Sequence, residues 1–250
     1  MKLETEGIVL SEMKTANDRC LLTILTRDKG LIPCFMRTGR SEIIKFGAAV
    51  SNISYSEFTI HKGRSGYNLN DAFSKKMFFR LSEDLGNLAL VGYFDALLRR
   101  LVPECDENGD PEFLRLMLNS LYLLNEGKKP ALLVKAVFEL RMMAISGYMP
   151  DVLGCRGCGV YEGDEFFFDF GRSCLWCPDC CSGGDIARIS RSVLNGIRTA
   201  MLSDPKKIFS FTVSENDIME LADLAEKYTL IMIDEIPDSL KYYKTMSGLG

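Results

Sequence analysis

The chain has 250 residues, 47% hydrophobic and 26% charged, with a net charge of −4. Those proportions exclude a disordered or fibrous chain and leave room for one large domain or two modest ones. No window reaches the roughly 18 uncharged apolar residues that a membrane span needs, and the best run, LGNLALVGYFDALL, is broken by Asp95.

The charge is unevenly placed. Residues 1–80 carry 13 Lys/Arg against 8 Asp/Glu, whereas the remaining 170 carry 17 against 26. Such asymmetry hints at a polyanion-binding N-terminal region. The opening MKLETEGIVL has two Glu and no long apolar run, so no signal peptide is expected and the cytosol is the expected compartment. Stable disulfides are rare there, and clustered cysteines point to metal or redox chemistry.

Taken in chain order, the first 80 residues read as β structure. EGIVLSE, RCLLTILT, GLIPCFMR, AAVSNISYSEFTIHKG and GYNLNDAFSKK are short β-rich runs separated by TAND, RDKG and TGRSE. Five strands with one longer connection near 38–46 suit a small closed barrel such as an OB-fold, and an SH3-like barrel fits nearly as well. From Ser82 the period becomes helical, with Ser82 as the expected N-cap. Pro111 opens PEFLRLMLNSLYLLNEG, ended by Gly127, and Pro130 opens PALLVKAVFELRMMAISG, also ended by Gly. After a cysteine-rich segment come helices entered by Ser190 and by Ser214, the latter with Asp217 placed as in a capping box. The expected fold is α+β. An N-terminal OB-fold barrel occupies residues 1–80, and an α-helical domain occupies 81–250 with a four-cysteine zinc module inserted at about 151–185.

Six of the nine cysteines fall in 27 residues, as Cys155-x2-Cys158-x15-Cys174-x2-Cys177-x2-Cys180-Cys181. A two-residue gap lets a tight turn aim both thiolates at one ion, with Gly157 and Gly159 available for positive φ. Two such knuckles complete a tetrahedral shell for structural zinc. By spacing, Cys174/Cys177, Cys177/Cys180 or a mixed pair can supply the second knuckle, and surplus cysteines act as small buried hydrophobes. A catalytic metal would keep an open position with a nearby acid or base. The one histidine, His61, lies far off in the barrel segment, so the metal is expected to be structural. The intervening EFFFDF is read as the module's own small core in preference to a base-stacking platform, because Glu162, Asp164, Glu165 and Asp169 would repel phosphate. No G-x-x-x-x-G-K-[ST], G-x-G-x-x-G, H-E-x-x-H or G-x-S-x-G pattern occurs. The chain therefore reads as a binder and not as an enzyme.

EGIVLSE, NDRCLLTILTRDKGLIPCFMRTGR, FELRMMAISGYMPDVLGCRGCG, GRSCLWC and the tail DEIPDSLKYYKTM occur in an order that resembles the RecO family of bacterial DNA repair and recombination proteins over nearly the whole chain. The resemblance implies an N-terminal OB-fold, a helical C-terminal domain and a zinc module. It also implies binding of single- and double-stranded DNA, strand annealing, and loading of RecA, with RecR, on strands coated by single-strand-binding protein, whose acidic C-terminal tail is contacted. A nucleoid-associated cytoplasmic location goes with that role. Carried over by position, the family's G-x-x-C-x-x-C falls on Gly171, Cys174 and Cys177, which implies the zinc ligands Cys155, Cys158, Cys174 and Cys177. Two extra thiols, Cys180 and Cys181, depart from the pattern.

The barrel's basic residues are then the expected strand-binding path: Arg37, Arg40 and Lys45 around the loop after the third run, and Lys62 and Arg64 in the next turn. Tyr55, Phe58 and Tyr67 are stacking candidates unless they serve as barrel core. An acidic, carboxylate-ended partner peptide would want basic residues beside an apolar pocket. Arg99, Arg100, Lys135 and Arg141 are the candidates, weighed against a solvated helix face. A different class of function, a zinc-stabilised adaptor whose barrel binds protein or RNA, fits the same residues.

Overall fold

The computed structural model describes residues 2–15, 19–63 and 66–248, and of residues 40–43 it describes the backbone alone. The chain forms two units, Met1–Glu126 and Gly127–Gly250.

The first unit begins with a long strand, β1 (Lys2–Thr15), which serves two neighbours. Its first half pairs with β4 (Tyr55–Gly63) and its second half with β2 (Arg19–Thr26), both antiparallel. The two ladders overlap at Gly7, opposite Thr26 on one side and Ser56 on the other. A Cβ on Gly7 would stand 2.6 Å from the Leu25 carbonyl oxygen, so the glycine is what lets the strand turn this corner. A bulge between Val9 and Ser11 adds curvature. β3 (Leu31–Arg37) pairs antiparallel with β2, and β5 (Gly66–Lys76) with β4. The barrel closes where β3 meets β5 in parallel, giving the order β1-β2-β3-β5-β4.

Helix α1 (Arg40–Val50) lies between β3 and β4 and sends Phe46, Ala49 and Val50 into the barrel core beside Val9, Leu22, Ile24, Ile32 and Phe58. Five strands in this order with a helix after the third form the expected OB-type barrel. One boundary differs: Ala48–Val50 end a helix and do not begin the fourth strand. Their apolar side chains plug the barrel's end, a tertiary demand that overrides local β preference.

A 3-10 turn (Phe79–Glu83) leads to α2 (Leu85–Leu101). Its N-cap is Asp84, which accepts from the Asn87 N–H, while Ser82 donates to Phe79 O inside the turn. Ser82 is thus not the cap expected from the sequence. Arg99 of α2 pairs with Asp95 one turn back and donates to Ser11 Oγ at 2.8 Å, tying the helix to β1. The segment after α2 adds to the start of β3: Leu31 N–H donates to Pro103 O and Cys105 N–H to Leu31 O. Helix α3 (Pro111–Asn125) starts at Pro111 behind an Asp110 cap and stops before Gly127, whose φ is +60°. Both ends follow the sequence signals.

In the second unit, α4 (Ala131–Ile145) is buried along Leu133–Met143, and α5 (Arg191–Leu202) and α6 (Glu215–Ile233) pack on it. Ser190 caps α5 by accepting from Val193 N–H, and Ser214 caps α6 by accepting from Asp217 N–H. Helix α7 (Asp238–Ser247) closes the described chain. Between α4 and α5 sits a sheet of order β6-β8-β7-β9, built from Asp151–Cys155, Cys174–Trp176, Glu165–Asp169 and Ile186–Ser190. Phe166, Phe168 and Phe170 are its buried core, with Phe168 edge-on to Tyr228 of α6 at 5.4 Å. The aromatic run is packing and not a stacking surface. Among the described residues, no helix is long and apolar enough to cross a membrane.

Candidate nucleic-acid interface and metal centre

At the β3–β5 seam the barrel carries a cleft of about 520 Å³. The ladder there holds two residue pairs, Cys34–Tyr67 and Phe35–Asn68. Arg19, Arg37 and Lys45 bring positive charge to its lining, with Phe35, Asn68 and Asn70 beside them. The β2–β3 register places Arg19 directly opposite Arg37. Two cations across a ladder repel, and the pair gains most when an anion lies between the guanidinium groups. The Arg19 guanidinium lies 5.9 Å from the centroid of the half-buried Phe35 ring, leaving a flat cationic and aromatic surface.

Of the expected strand-binding residues, the structure brings Arg37 and Lys45 together in this cleft. Arg40 opens α1, but its side chain falls outside the described residues, as does all of Arg64. Lys62 lies on β4 with its ammonium 5.4 Å from the Tyr67 ring centroid and does not line the cleft. Phe58 belongs to the barrel core and Tyr67 is nearly buried. Tyr55 donates to Glu6 Oε2, and burial followed by that carboxylate pushes its hydroxyl up to about 12. None of the three lines the cleft, whereas Phe35 does. Arg19 and Phe35 were not among the expected residues. Counting outward from the RDKG turn pairs 19 with 37 and 21 with 35, so the hairpin register is the signal that finds them.

The expected partner-binding cations divide between the two units. Arg99 and Arg100 lie on α2, where Arg99 is engaged by Asp95 and Ser11. Lys135 and Arg141 are not surface cations at all. Lys135 is 1% exposed and pairs with Glu139 at 2.7 Å and Glu226 at 2.9 Å. Burial opposes its charge, but the two carboxylates outweigh that and hold it above its ordinary value. Arg141 donates to Met201 O at 2.6 Å and Ser203 O at 3.2 Å, satisfying the C-terminal carbonyls of α5. Both side chains hold the second unit together and are closed to a docking peptide.

The parallel pairing of β6 with β8 sets Cys155 beside Leu175 and so brings the two cysteine turns together. Cys155, Cys158, Cys177 and Cys180 have their sulfurs within 4.8 Å of one another, with Cys158 and Cys177 at 3.7 Å. A tetrahedral ion with sulfur at about 2.3 Å requires S···S edges of about 3.8 Å, so this cluster could hold a metal ion. In the first turn Gly157 N–H donates to Cys155 Sγ and Gly159 N–H to Cys155 O, with Gly159 at φ +76°. Gly157 serves for space, since a Cβ there would stand 3.0 Å from Cys180 Sγ. In the second turn Cys180 and Cys181 N–H both donate to Cys177 O.

The expected quartet differs at one position: the structure gathers Cys180 where Cys174 was expected. Cys174 sits in strand β8 opposite Asp169, 2% exposed. Burial first, and the Asp169 carboxylate next, push its thiol up. In the cluster, burial works to raise Cys155, but N–H groups of Cys177, Cys158 and Gly157 outweigh it and bring the thiol down to about 6. Hydrogen bonds with Cys177, Cys158 and Cys155 push Cys180 up to about 12. Sulfurs this close cannot all be thiolates without a cation among them.

A five-stranded barrel of the oligonucleotide-binding type with a cationic seam, followed by a helical unit whose inserted sheet carries a four-thiol cluster, defines the class. Residues 1–78 match the family Recombination protein O N terminal, and residues 82–235 match Recombination protein O C terminal. The chain belongs to the RecO family. It is similar to the DNA repair protein RecO of Acetivibrio thermocellus, 28% identical over 248 residues that cover 99% of this chain and 98% of the relative. It is also similar to the proteins of that name from Caldicellulosiruptor saccharolyticus (26%, covering 97% and 98%) and Caldicellulosiruptor bescii (28%, covering 98% and 99%).

Proposed function

We propose that this protein is a non-enzymatic recombination mediator in DNA repair. Its barrel binds single-stranded DNA, promotes annealing, and, with RecR, helps RecA onto strands coated by single-strand-binding protein. The observation that carries the reading is the seam cleft, where Arg19 and Arg37 face one another beside Phe35 and Lys45. Phosphates of a strand would relieve the repulsion between the arginines, and Phe35 would offer a ring to a base. Annealing then needs no bond chemistry, because neutralising two strands while leaving base edges free lowers the repulsion that opposes pairing. Zinc on Cys155, Cys158, Cys177 and Cys180 would be a closed structural ion that fixes the sheet inserted among the second unit's helices.

The test is fluorescence anisotropy of a labelled single-stranded oligonucleotide with the full chain. Three phosphate contacts give a slope of log K against log salt near −2, which is about a 20-fold loss between 50 and 200 mM. Arg19→Glu with Arg37→Glu should abolish binding. Affinity that is indifferent to salt, or that survives this reversal, rules the cleft out.

A further inference from the structure

An acid stands beside the basic cleft and holds one of its cations. Lys45 reaches the lining from α1, and its ammonium lies 3.0 Å from Asp71 Oδ1 on β5. Both side chains keep contact with solvent, 57% and 33% exposed. The same ammonium lies 4.7 Å from the centroid of the Phe46 ring, which α1 buries in the barrel core. Lys45 is therefore held on one side by an aromatic face and on the other by a carboxylate, at the edge of a cleft whose remaining cations face each other.

We propose that Asp71 is a built-in competitor for the strand: its carboxylate occupies Lys45 until a backbone phosphate displaces it. The proposal rests on the reading of the cleft as a strand-binding site. A half-exposed ion pair of this kind stabilises by only about 0.2–1 kcal/mol, so a phosphate can replace it. The arrangement sets the cleft's affinity below what its cations alone would give, which suits a protein that must release strands after they pair. Asp71 also accepts the Ala72 N–H at 3.1 Å through the oxygen that meets Lys45. An asparagine can keep that bond while losing the charge.

The experiment is oligonucleotide anisotropy on the full chain across a salt series, for wild type, Asp71→Asn, Lys45→Ala and the double variant. Asp71→Asn should bind about two- to five-fold more tightly near 0.1 M salt, because the phosphate that reaches Lys45 no longer has to displace a carboxylate. In the Lys45→Ala background the same change should have little effect. Asp71→Asn affinity equal to or weaker than wild type overturns the proposal, as does an equal gain without Lys45, which would mark simple repulsion. Wild type that binds no strand at low salt defeats the cleft reading itself and this proposal with it. Should Asp71→Asn shift the melting temperature, Asp71→Ser supplies the same charge removal.

Discussion

Exchanging single cysteines for serine separates the two possible metal quartets. The four sulfurs of Cys155, Cys158, Cys177 and Cys180 lie within 4.8 Å of one another, and Cys174 is held in the sheet opposite Asp169. Structural zinc in small four-ligand sites binds with about 10–16 kcal/mol, so removing one thiolate of four costs roughly 3 kcal/mol, about two decades in affinity. Cys180→Ser should therefore weaken zinc about 100-fold. Cys174→Ser should leave zinc affinity within a few-fold and instead cost about 1–3 kcal/mol of stability, through a hydroxyl buried where a thiol had been. Competition against a colorimetric chelator measures the first quantity and urea unfolding the second. The chain's single tryptophan supplies an internal reporter. Trp176 donates to Asp169 Oδ2 and would lie 3.4 Å from a Cβ on Gly157, so it sits against the first cysteine turn. Its emission should change when chelator strips wild type, and the half-effect should come at a lower chelator concentration in Cys180→Ser. Zinc lost from Cys174→Ser and kept by Cys180→Ser would refute the assignment.

Lys135→Met should cost about 3–5 kcal/mol in urea unfolding, because it takes from the fully buried Glu139 the ammonium that pairs with it at 2.7 Å. Adding Glu139→Leu should recover most of that loss, and a single-variant cost under about 1 kcal/mol would show the ion pair to be dispensable. In the barrel, Glu6 and Glu57 face each other across β1 and β4, with Lys75 bridging both at 2.6 and 2.9 Å. Hydrogen bonds from Lys75 and then Tyr55 hold Glu6 below its ordinary value. Its contribution is thus present above about pH 4.3 and lost as pH falls through the lowered value. Lys75→Met should lower stability at pH 7 and by progressively less as pH falls below the ordinary carboxylate range, followed by thermal unfolding across pH. A loss that does not shrink as pH falls would sink the electrostatic account.

Local signals carried much of the fold. Asp110 and Pro111 start α3, Gly127 lies just past its end, and Ser190 and Ser214 cap their helices, because capping is decided by residues one turn apart. The element that misled, Ala48–Val50, is helical because of what it fills in the barrel, which no window of neighbours records. The cleft shows the same division. Arg37 and Lys45 were legible as basic residues near a loop. Arg19 and Phe35 join them only through strand register, and Asn68 only through the β3–β5 closure. Lys135 and Arg141 looked like surface cations because polar residues on a helix usually are. Their burial depends on α5 and α6, more than 50 residues away. The metal quartet turned on which side of a three-residue strand Cys174 faces.

The strap that follows α2 bears on how this protein can be divided. Gly30 lies so close to it that a Cβ would stand 2.3 Å from the Pro103 carbonyl oxygen, and Lys29 Nζ donates to Glu107 O while Gly109 N–H donates to Asp28 O. These bonds fasten residues 102–109 to the β2–β3 hairpin. The family boundary near residue 80 marks where the two matched segments adjoin, but a cut there would leave the hairpin's turn without its clasp and Leu31 without its bonds to Pro103 and Cys105, with Leu25 of β2 as its remaining strand partner. A fragment meant to isolate the barrel for crystallography or binding work should run to Glu126, so that the clasp is expressed with the hairpin it closes.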